Sequence, residues 1–261
     1  MAKKMDGRSE FIAVPGFPDV RQGDDLGELV AKALEHAECV LEDGDIIVVA
    51  QKVVSKAEGR FLHLRDIEPS PRALELASEI GSDPRKVQAV FDESTEIVRT
   101  ARTRFGGLII ARHKNGWVSA NAGIDESNVG REDGTILLLP EDADASAKRI
   151  GTALERSFGK QVGVLVTDTF GRPWRQGLVN ITIGSYGVPP IIEWVGKPDA
   201  YGRSLNVTLQ AFADEVAAAA GIFMKKDAGL PLILAKGLDW QWQDNASAQT
   251  YVRKLSEDLF R

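Results

Sequence analysis

The chain has 261 residues, a formal net charge of -6 at pH 7 and a hydrophobic fraction of 43%. This length supports a well-buried core, and the acidic balance gives no overall field that would attract nucleic acid, so no nucleic-acid partner is expected. The one cysteine, Cys39, excludes an internal disulfide and favours a reducing, cytoplasmic location. We expect neither a secretory signal nor a membrane span, because residues 1–8 precede no apolar stretch and no run approaches the ~20 apolar residues of a span.

The predicted strands are short apolar runs bounded by turn residues. The clearest is Ile46–Ala50, a β-branched run that follows the turn Asp43-Gly44-Asp45. Further strands are predicted over residues 107–111, 117–120, 135–139, 162–167, 181–183, 191–195 and 231–235.

Apolar residues at helical spacing predict five helices, over residues 26–38, 71–80, 142–158, 205–224 and 246–260. Asp142 is a suitable N-cap for the third of these helices, and Gly159 a suitable C-cap. Residues 81–104 are charged and weakly apolar, which fits a linker between two lobes and a solvated helix equally well.

Strands and helices do not alternate regularly along the chain. We therefore predict an α+β fold rather than a doubly wound parallel sheet. Residues 1–261 are interpreted as one domain that admits two lobes with soft internal boundaries.

The common phosphate-loop, dinucleotide and zinc signatures are absent from the sequence. Gly159-Lys160 is followed by Gln161, and Gly196-Lys197 by Pro198, so neither pair completes a Gly-x4-Gly-Lys-Ser/Thr loop. A nucleotide or metal site must therefore come from a less regular pattern.

The most informative segment is VGVLVTDTFGRPWRQG, residues 162–177. An apolar strand delivers Asp168 and Thr169 at its end, and their carboxylate and hydroxyl are the hard oxygen ligands that Mg²⁺ and Mn²⁺ prefer. Arg172 and Arg175 follow in a turn and are candidates for binding the phosphate or carboxylate of a substrate. An Asx turn with both arginines in solvent fits the same pattern.

Three weaker segments offer similar chemistry. Asp125 and Asn128 lie in a loop of small residues that also fits a plain turn. Lys56 follows the strand 46–50 and is either a phosphate contact or a solvated lysine. Residues 14–19 contain Gly and Pro, which form a tight turn that brings backbone N–H groups close to a ligand.

Taken in chain order, these segments resemble the coenzyme F420-0:L-glutamate ligase family over roughly residues 12–238. Several long, irregular motifs in the same order make coincidence a poor explanation. The matching stretches are GFPD (16–19) with GDDL (23–26), DGDIIVV (43–49) with KVVSKAEGR (52–60), AGIDESNVG (122–130), TDTFGRPWRQG (167–177), YGRSL (201–205) and ADE (213–215).

The resemblance implies a two-lobed α+β fold, an intertwined homodimer, and a cleft that binds GTP and two divalent ions, Mg²⁺ or Mn²⁺, with K⁺ also suggested. Asp125 and Asp168 match ligands of one metal and Thr169 a ligand of the second, and these three are the implied catalytic residues. The implied nucleotide contacts are Gly16, Phe17, Pro18, Asp19, Gln51, Lys56 and Asn128.

The activity implied by the resemblance joins L-glutamate to coenzyme F420-0. GTP would activate the acceptor carboxylate as an acyl phosphate, which the glutamate amine attacks. Such a route needs no protein nucleophile, in keeping with the lack of a Ser-His or Cys-His arrangement in the sequence.

Two positions depart from the family pattern. Leu209 stands where the family often has Glu, and Lys225-Lys226 where Gly followed by Glu or Gln often stands. These changes leave the second metal and the acceptor open, and Lys226 is interpreted either as a positive charge near the phosphates or as a solvated lysine. Two alternatives therefore remain: a sister ligase for another carboxylate, and a nucleotide-binding regulator without turnover.

Overall fold

The computed structural model describes residues 7–130 and 133–258. Its strands are β1 (Glu10–Ala13), β2 (Ile46–Ala50), β3 (Phe61–His63), β4 (Ser94–Thr103), β5 (Gly106–His113), β6 (Val118–Ala120), β7 (Thr135–Leu137), β8 (Gly163–Arg172), β9 (Arg175–Tyr186), β10 (Ile192–Glu193), β11 (Leu209–Gln210) and β12 (Leu232–Lys236). Its α-helices are α1 (Leu26–His36), α2 (Gln51–Ala57), α3 (Pro71–Ile80), α4 (Pro84–Glu93), α5 (Ala143–Phe158) and α6 (Phe212–Gly221). Short 3₁₀ helices cover Leu64–Asp66, Asn121–Gly123, Ala248–Tyr251 and Leu255–Glu257.

A mixed five-stranded sheet lies at the centre, with strand order β1-β12-β2-β8-β9. β2 and β8 are parallel, and the other neighbouring pairs in this sheet are antiparallel. The mixture of helices with a mixed sheet confirms the predicted α+β class.

Both faces of the central sheet are buried. Ile47 and Val49 of β2 pack in the core beneath α1 and α5, whereas Ile46 and Val48 pack in the core beneath α6. Because neighbouring residues of a strand point to opposite faces, a strand covered on both sides needs a continuous apolar run. This explains why Ile46–Ala50 was recognisable from sequence.

A second region packs α3 and α4 against the three-stranded sheet β4-β5-β6. The two-stranded ladder of β3 and β7 lies beside it, with Leu62 and Ile136 in a small apolar cluster. The Arg60 guanidinium, just before β3, donates to the Glu93 carboxylate at the end of α4 over 2.8 Å. This ion pair ties the second region to the chain that leaves α2.

β8 and β9 extend beyond the central sheet as a two-stranded ribbon. β2 pairs with β8 only as far as Thr167, whereas β8 continues to pair with β9 as far as Arg172. Two large apolar side chains on the ribbon are exposed, Trp174 (82%) and Leu178 (63%). The ribbon therefore presents apolar surface outside the core.

Helix ends follow the predicted capping chemistry. The Asp142 carboxylate accepts the Ala145 N–H at the start of α5, and Gly159 ends the helix in the left-handed conformation with φ 64°. Side-chain caps satisfy backbone donors that the first helical turn leaves without partners. Both predicted caps are confirmed.

Three element predictions were wrong in whole or in part. The predicted helix 205–224 is confirmed only over Phe212–Gly221. It begins after the strand β11, since Asn206, Val207 and Thr208 have low helix propensity, and residues 222–224 lie beyond its end. Residues 246–258 form two 3₁₀ helices rather than an α-helix, and residues 259–260 of that prediction lie outside the described residues. Residues 81–104 contain α4 and β4, both packed in the second region, rather than a linker or a solvated helix.

No helix within residues 7–130 and 133–258 is long and apolar enough to cross a membrane. Residues 1–6, part of the segment considered for a secretory signal, lie outside the described residues.

Candidate active site

One edge of the central sheet gathers the predicted site segments. Ala50, the last residue of β2, pairs with Thr167 of β8, so Gln51 lies beside Asp168 where β2 ends and β8 continues paired only with β9. Asp168 and Thr169 thus lie within β8, whereas the sequence predicted them at its end. Ligands of open sheets commonly bind in the crevice outside the carboxyl ends of parallel strands. Parallel pairing of β2 and β8 therefore brings two distant sequence motifs together.

The antiparallel strands bring two more loops to this edge. The Val14 N–H, just after β1, donates to Leu232 O over 3.0 Å, and the Ala50 N–H donates to Pro231 O over 2.9 Å. The turn at residues 14–19 and the loop before β12 therefore flank the end of β2.

These loops surround a cavity of about 600 Å³. Its size lies within the ~300–1,000 Å³ range of small-molecule sites. The lining residues are Phe17, Pro18, Asp19, Val20, Ala50, Gln51, Lys52, Val53, Lys56, Asn128, Gly130, Thr167, Asp168, Thr169, Asn180, Met224, Lys225, Lys226, Asp227, Gly229, Leu230 and Pro231.

Asp125 reaches the rim of this cavity from the second region. Its backbone N–H and C=O exchange two hydrogen bonds with Leu137 of β7, each of 2.9 Å. A residue held by both backbone groups has little freedom to move, so β7 fixes the position of the Asp125 carboxylate.

Two side chains of α2 donate to one oxygen of Asp125. Gln51 Nε2 donates to Asp125 Oδ2 over 2.6 Å, and Lys52 Nζ forms an ion pair with the same oxygen. Ser55 Oγ, one helical turn along α2, donates to Gln51 Oε1 over 2.8 Å and so sets the orientation of the Gln51 amide.

Asp168 has an unusual electrostatic environment. Its removal from water and the nearby charge of Asp125 raise the pKa of its carboxyl to about 7, against the opposing effects of the Thr169 N–H, Lys52 and Lys226. The Thr169 N–H donates to Asp168 Oδ1 over 2.7 Å. Two carboxylates that repel each other at a cavity edge form an environment that a cation would stabilise.

This donor set fits a hard divalent cation. Asp125, Asp168 and the exposed Thr169 hydroxyl offer only oxygen atoms, and the mutual repulsion of the two carboxylates falls when a positive ion binds between them. Across residues 7–130 and 133–258 there is no group of three or more His, Cys, Asp or Glu side chains able to hold a metal. A cation here would therefore rely on substrate or water oxygens to complete its coordination.

Positive charge faces this acidic edge from two sides. Lys56 lies one turn after Lys52 on α2, and its Nζ is 3.3 Å from Asp19 Oδ1. Lys225 and Lys226 line the cavity from the loop before β12. The cavity thus combines paired carboxylates with several ammonium groups, an arrangement suited to a polyanion bound together with a metal.

Comparison with known proteins identifies the family of this chain. The model of the F420-0:Gamma-glutamyl ligase family matches residues 16–237. A protein of Methanothermobacter thermautotrophicus named coenzyme F420:L-glutamate ligase is 42% identical over 96% of this chain and 98% of its own length. A protein of the same name from Methanopyrus kandleri is 42% identical over 95% of this chain and 96% of its own length. Another, from Archaeoglobus fulgidus, is 40% identical over 97% of this chain and 97% of its own length.

The chain belongs to the F420-0:Gamma-glutamyl ligase family.

The cavity collects most of the residues expected from the family resemblance. Eight of them line it: Phe17, Pro18, Asp19, Gln51, Lys56, Asn128, Asp168 and Thr169. Asp125 contacts Gln51 and Lys52 at its rim. Gly16 lies immediately before the lining residues and has φ +73°, a conformation that favours glycine.

The two arginines proposed for substrate binding in this ligase lie elsewhere. Arg172 and Arg175 pair with each other at the tip of the β8–β9 ribbon and do not line the cavity. Arg172 Nη2 donates to Gln176 O over 2.9 Å. Within a single chain, Arg172 therefore contacts the backbone of its own hairpin, and neither arginine lines the cavity beside Asp168.

The two departures from the ligase family pattern occupy different surroundings. Lys226 lines the cavity, and its backbone carbonyl accepts the Asn128 Nδ2–H over 2.9 Å. Leu209 pairs with Glu193 in the β10–β11 ladder, is 57% exposed, and is not a lining residue. Of these two departures from the family pattern, only the one at Lys226 therefore changes the charge of the cavity directly.

Sequence reasoning missed several lining residues of this ligase. Lys52 was detectable, because a helix over residues 51–57 would place it on the same face as Lys56. Asn180 and Met224 carried no such signal. They meet at the cavity because β9 pairs with β8 and α6 ends beside it, with 3.5 Å between Asn180 Nδ2 and Met224 Sδ.

Proposed function

We propose that this chain is a GTP-dependent ligase that joins the amine of L-glutamate to the terminal carboxylate of coenzyme F420-0. Its supports are the family to which the chain belongs and the names of its relatives. The observation that carries the proposal is the cavity at the carboxyl end of β2 and beside Asp168 of β8, where the Asp125–Asp168 pair lies near Lys52 and Lys226 and Lys56 is a further lining residue.

The proposed reaction has two steps. An oxygen of the acceptor carboxylate attacks the γ-phosphorus of GTP, the bond from that phosphorus to the β–γ bridging oxygen breaks, and GDP leaves with the electron pair. The amine nitrogen of glutamate then attacks the acyl carbon, the bond to the phosphate oxygen breaks, and phosphate leaves while the nitrogen loses a proton to water. Both steps transfer a group between bound substrates, so no protein nucleophile is needed.

The protein would contribute mainly position and charge. Lys56 and Lys226 would neutralise phosphate oxygens as negative charge moves to the leaving group, and the turn at residues 16–19 would offer backbone N–H groups. One Mg²⁺ or Mn²⁺ ion held by Asp125 and Asp168, and a second bound through Thr169, would supply further positive charge to the phosphates. Two divalent ions, with K⁺ as a further ion, are part of this proposal.

The first test follows the acceptor oxygen. Purified protein is incubated with GTP, Mn²⁺, L-glutamate and coenzyme F420-0 labelled with ¹⁸O in its terminal carboxylate, and products are analysed by mass spectrometry. We expect a mass gain of at least one glutamate, GDP formation, and one ¹⁸O atom in the phosphate released at the first addition, because the acyl phosphate shares that oxygen. Glutamate addition without ¹⁸O in phosphate would contradict the acyl phosphate.

A sister ligase for another carboxylate remains the second candidate, because Lys226 changes the charge of the cavity. GTP consumption that depends on a carboxylate other than coenzyme F420-0 would favour it. GTP binding without consumption, whichever acceptor is supplied, would instead favour a regulator.

We further propose that the chain works as a cytoplasmic homodimer. The β8–β9 ribbon carries exposed Trp174 and Leu178, and exposed apolar residues on a projecting ribbon are common at subunit interfaces. The single cysteine suits a reducing cytosol.

A further inference from the structure

Asp125 Oδ2 already has two partners, and one of them carries a full positive charge. Gln51 Nε2 donates to this oxygen over 2.6 Å, and Lys52 Nζ pairs with it. Both ionic side chains are only 21% exposed, so water screens their attraction less than at an open surface. Lys52 therefore neutralises the carboxylate on which the proposed function relies for a metal.

The three groups around this oxygen differ in their freedom to move. Asp125 is held by two backbone hydrogen bonds to Leu137, and the Gln51 amide is oriented by the Ser55 hydroxyl. Lys52 ends in a flexible four-carbon chain, and no second hydrogen-bond acceptor holds its ammonium among the described contacts. Lys52 is the partner that is able to leave.

We infer that Lys52 and a divalent cation are alternative partners of Asp125 Oδ2, so that Lys52 sets the metal affinity of the site by competition. An oxygen that accepts from both Gln51 and Lys52 has no favourable position for a divalent ion, and an ammonium beside that ion would repel it. A metal that binds Asp125 Oδ2 therefore requires Lys52 to move away from that oxygen. Lys52 acts as a positioning residue through Asp125, and this inference rests on the metal ligand assigned in the proposed function.

Binding of Mn²⁺ alone tests the competition without any turnover. Free Mn²⁺ is measured by electron paramagnetic resonance during titration of the full chain, in the absence of nucleotide. Lys52→Met removes the ammonium and keeps a similar length, and we expect Mn²⁺ to bind roughly tenfold more tightly. Lys52→Arg keeps a positive charge and should return the affinity to near that of the native chain.

Lys56→Met is the matched control. It removes an ammonium from the same face of the same helix, one turn away, but Lys56 pairs with Asp19 rather than with Asp125. We expect its effect on Mn²⁺ affinity to be much smaller. Unchanged or weaker Mn²⁺ binding in Lys52→Met would overturn the inference, and so would equal tightening in Lys56→Met.

Asp125→Asn separates this inference from the proposed function. If Asp125→Asn leaves Mn²⁺ binding unchanged, the metal assignment fails and the inference falls with it. If Asp125→Asn weakens Mn²⁺ binding but Lys52→Met does not strengthen it, the metal site stands and only the competition is wrong. Thermal unfolding with and without Mn²⁺ gives a second readout, because a tighter ligand raises the melting temperature more.

Discussion

At the scale of single residues, Asp168 shows how burial and a neighbouring charge make a side chain suitable for binding a cation. Its carboxyl, removed from water and close to Asp125, has a pKa raised to about 7, so its negative charge is costly until a positive group approaches. Sequence identified this residue from its place after an apolar run, although β8 continues past it to Arg172. The family resemblance paired it with Asp125, and the fold shows how that neighbour changes its pKa.

The change Asp168→Asn should reduce turnover by roughly 100-fold or more, because it removes one charge that would hold the metal against the phosphates. The folded state should be retained, since the amide keeps the shape of the side chain and an acceptor for the Thr169 N–H. Product formation and circular dichroism provide the measurement. Asp239→Asn, at an exposed aspartate outside the cavity lining, is the control, and near-native activity of Asp168→Asn would remove Asp168 from the site.

The change Lys56→Ala should weaken GTP binding by roughly tenfold, which corresponds to about 1.4 kcal/mol for one lost charge-assisted contact. Isothermal titration with GTP and Mg²⁺ measures it. Lys148→Ala serves as the control, because Lys148 lies on α5 and does not line the cavity. GTP affinity equal to that of the native chain would exclude Lys56 as a nucleotide contact.

At the scale of elements, the Asp214 carboxyl group joins α6 to β9, and its burial there disfavours the ionised form. Asp214, in the first turn of α6, accepts the Thr182 N–H over 2.8 Å. Burial raises the pKa of Asp214 from 3.8 to about 6, and the Thr182 N–H opposes this shift only in part. The folded chain therefore binds this proton more tightly than the unfolded chain does.

The sign of the resulting pH dependence follows from linkage. Below about pH 4 the stabilising effect of the neutral Asp214 is fully present, and it is lost as the pH rises through about 6. Asp214→Asn keeps an oxygen acceptor for Thr182 and cannot ionise, so it should remove this loss, a difference of roughly 1–3 kcal/mol in unfolding free energy between pH 4 and pH 7.5.

Urea unfolding across that pH range measures the effect of Asp214→Asn. Glu215→Gln is the control, because Glu215 is an exposed neighbour on the same turn of α6. If the unfolding free energy of the native chain and that of Asp214→Asn change with pH in the same way, Asp214 is not the group that causes the loss of stability.

At the scale of the whole molecule, the β8–β9 ribbon is the part of the fold that extends from the central sheet. Leu178 on this ribbon is 63% exposed, although its strand continues into the core at Ile183. The proposed homodimer would bury this surface, where a charge would be costly.

Leu178→Glu should therefore convert a dimer into a monomer. Light scattering coupled to size-exclusion chromatography should give twice the chain mass for the native protein and the single-chain mass for the variant. Leu74→Glu is a matched control, since Leu74 is 52% exposed on α3, away from the ribbon. A native chain that elutes as a monomer would contradict the proposed dimer.

Much of the fold was predictable where local chemistry and burial agree. Ile46–Ala50 and Pro71–Ile80 match their predicted bounds, and Asp142 and Gly159 cap α5 as expected. The helix predicted from residue 205 was wrong because Leu205, Val207 and Leu209 alternate with polar residues, which is strand spacing, and Gln210 of β11 pairs with Ile192 of β10. The predicted last helix was wrong where a tertiary contact intervenes, because the Tyr251 hydroxyl donates to Pro190 O.

The sequence by itself determined the α+β class, the family and eight of the residues that line the cavity, because these depend on local patterns and on motifs in a recognisable order. Only the tertiary structure decided which motifs meet. The parallel pairing of β2 with β8 places Gln51 beside Asp168, and the bridge from Asp125 to Leu137 brings in the second carboxylate. The tertiary structure also placed Arg172 and Arg175 on the ribbon, away from the cavity, and paired Lys52 with Asp125. The sequence could not show either arrangement, because strand pairing and burial act between residues far apart in the chain.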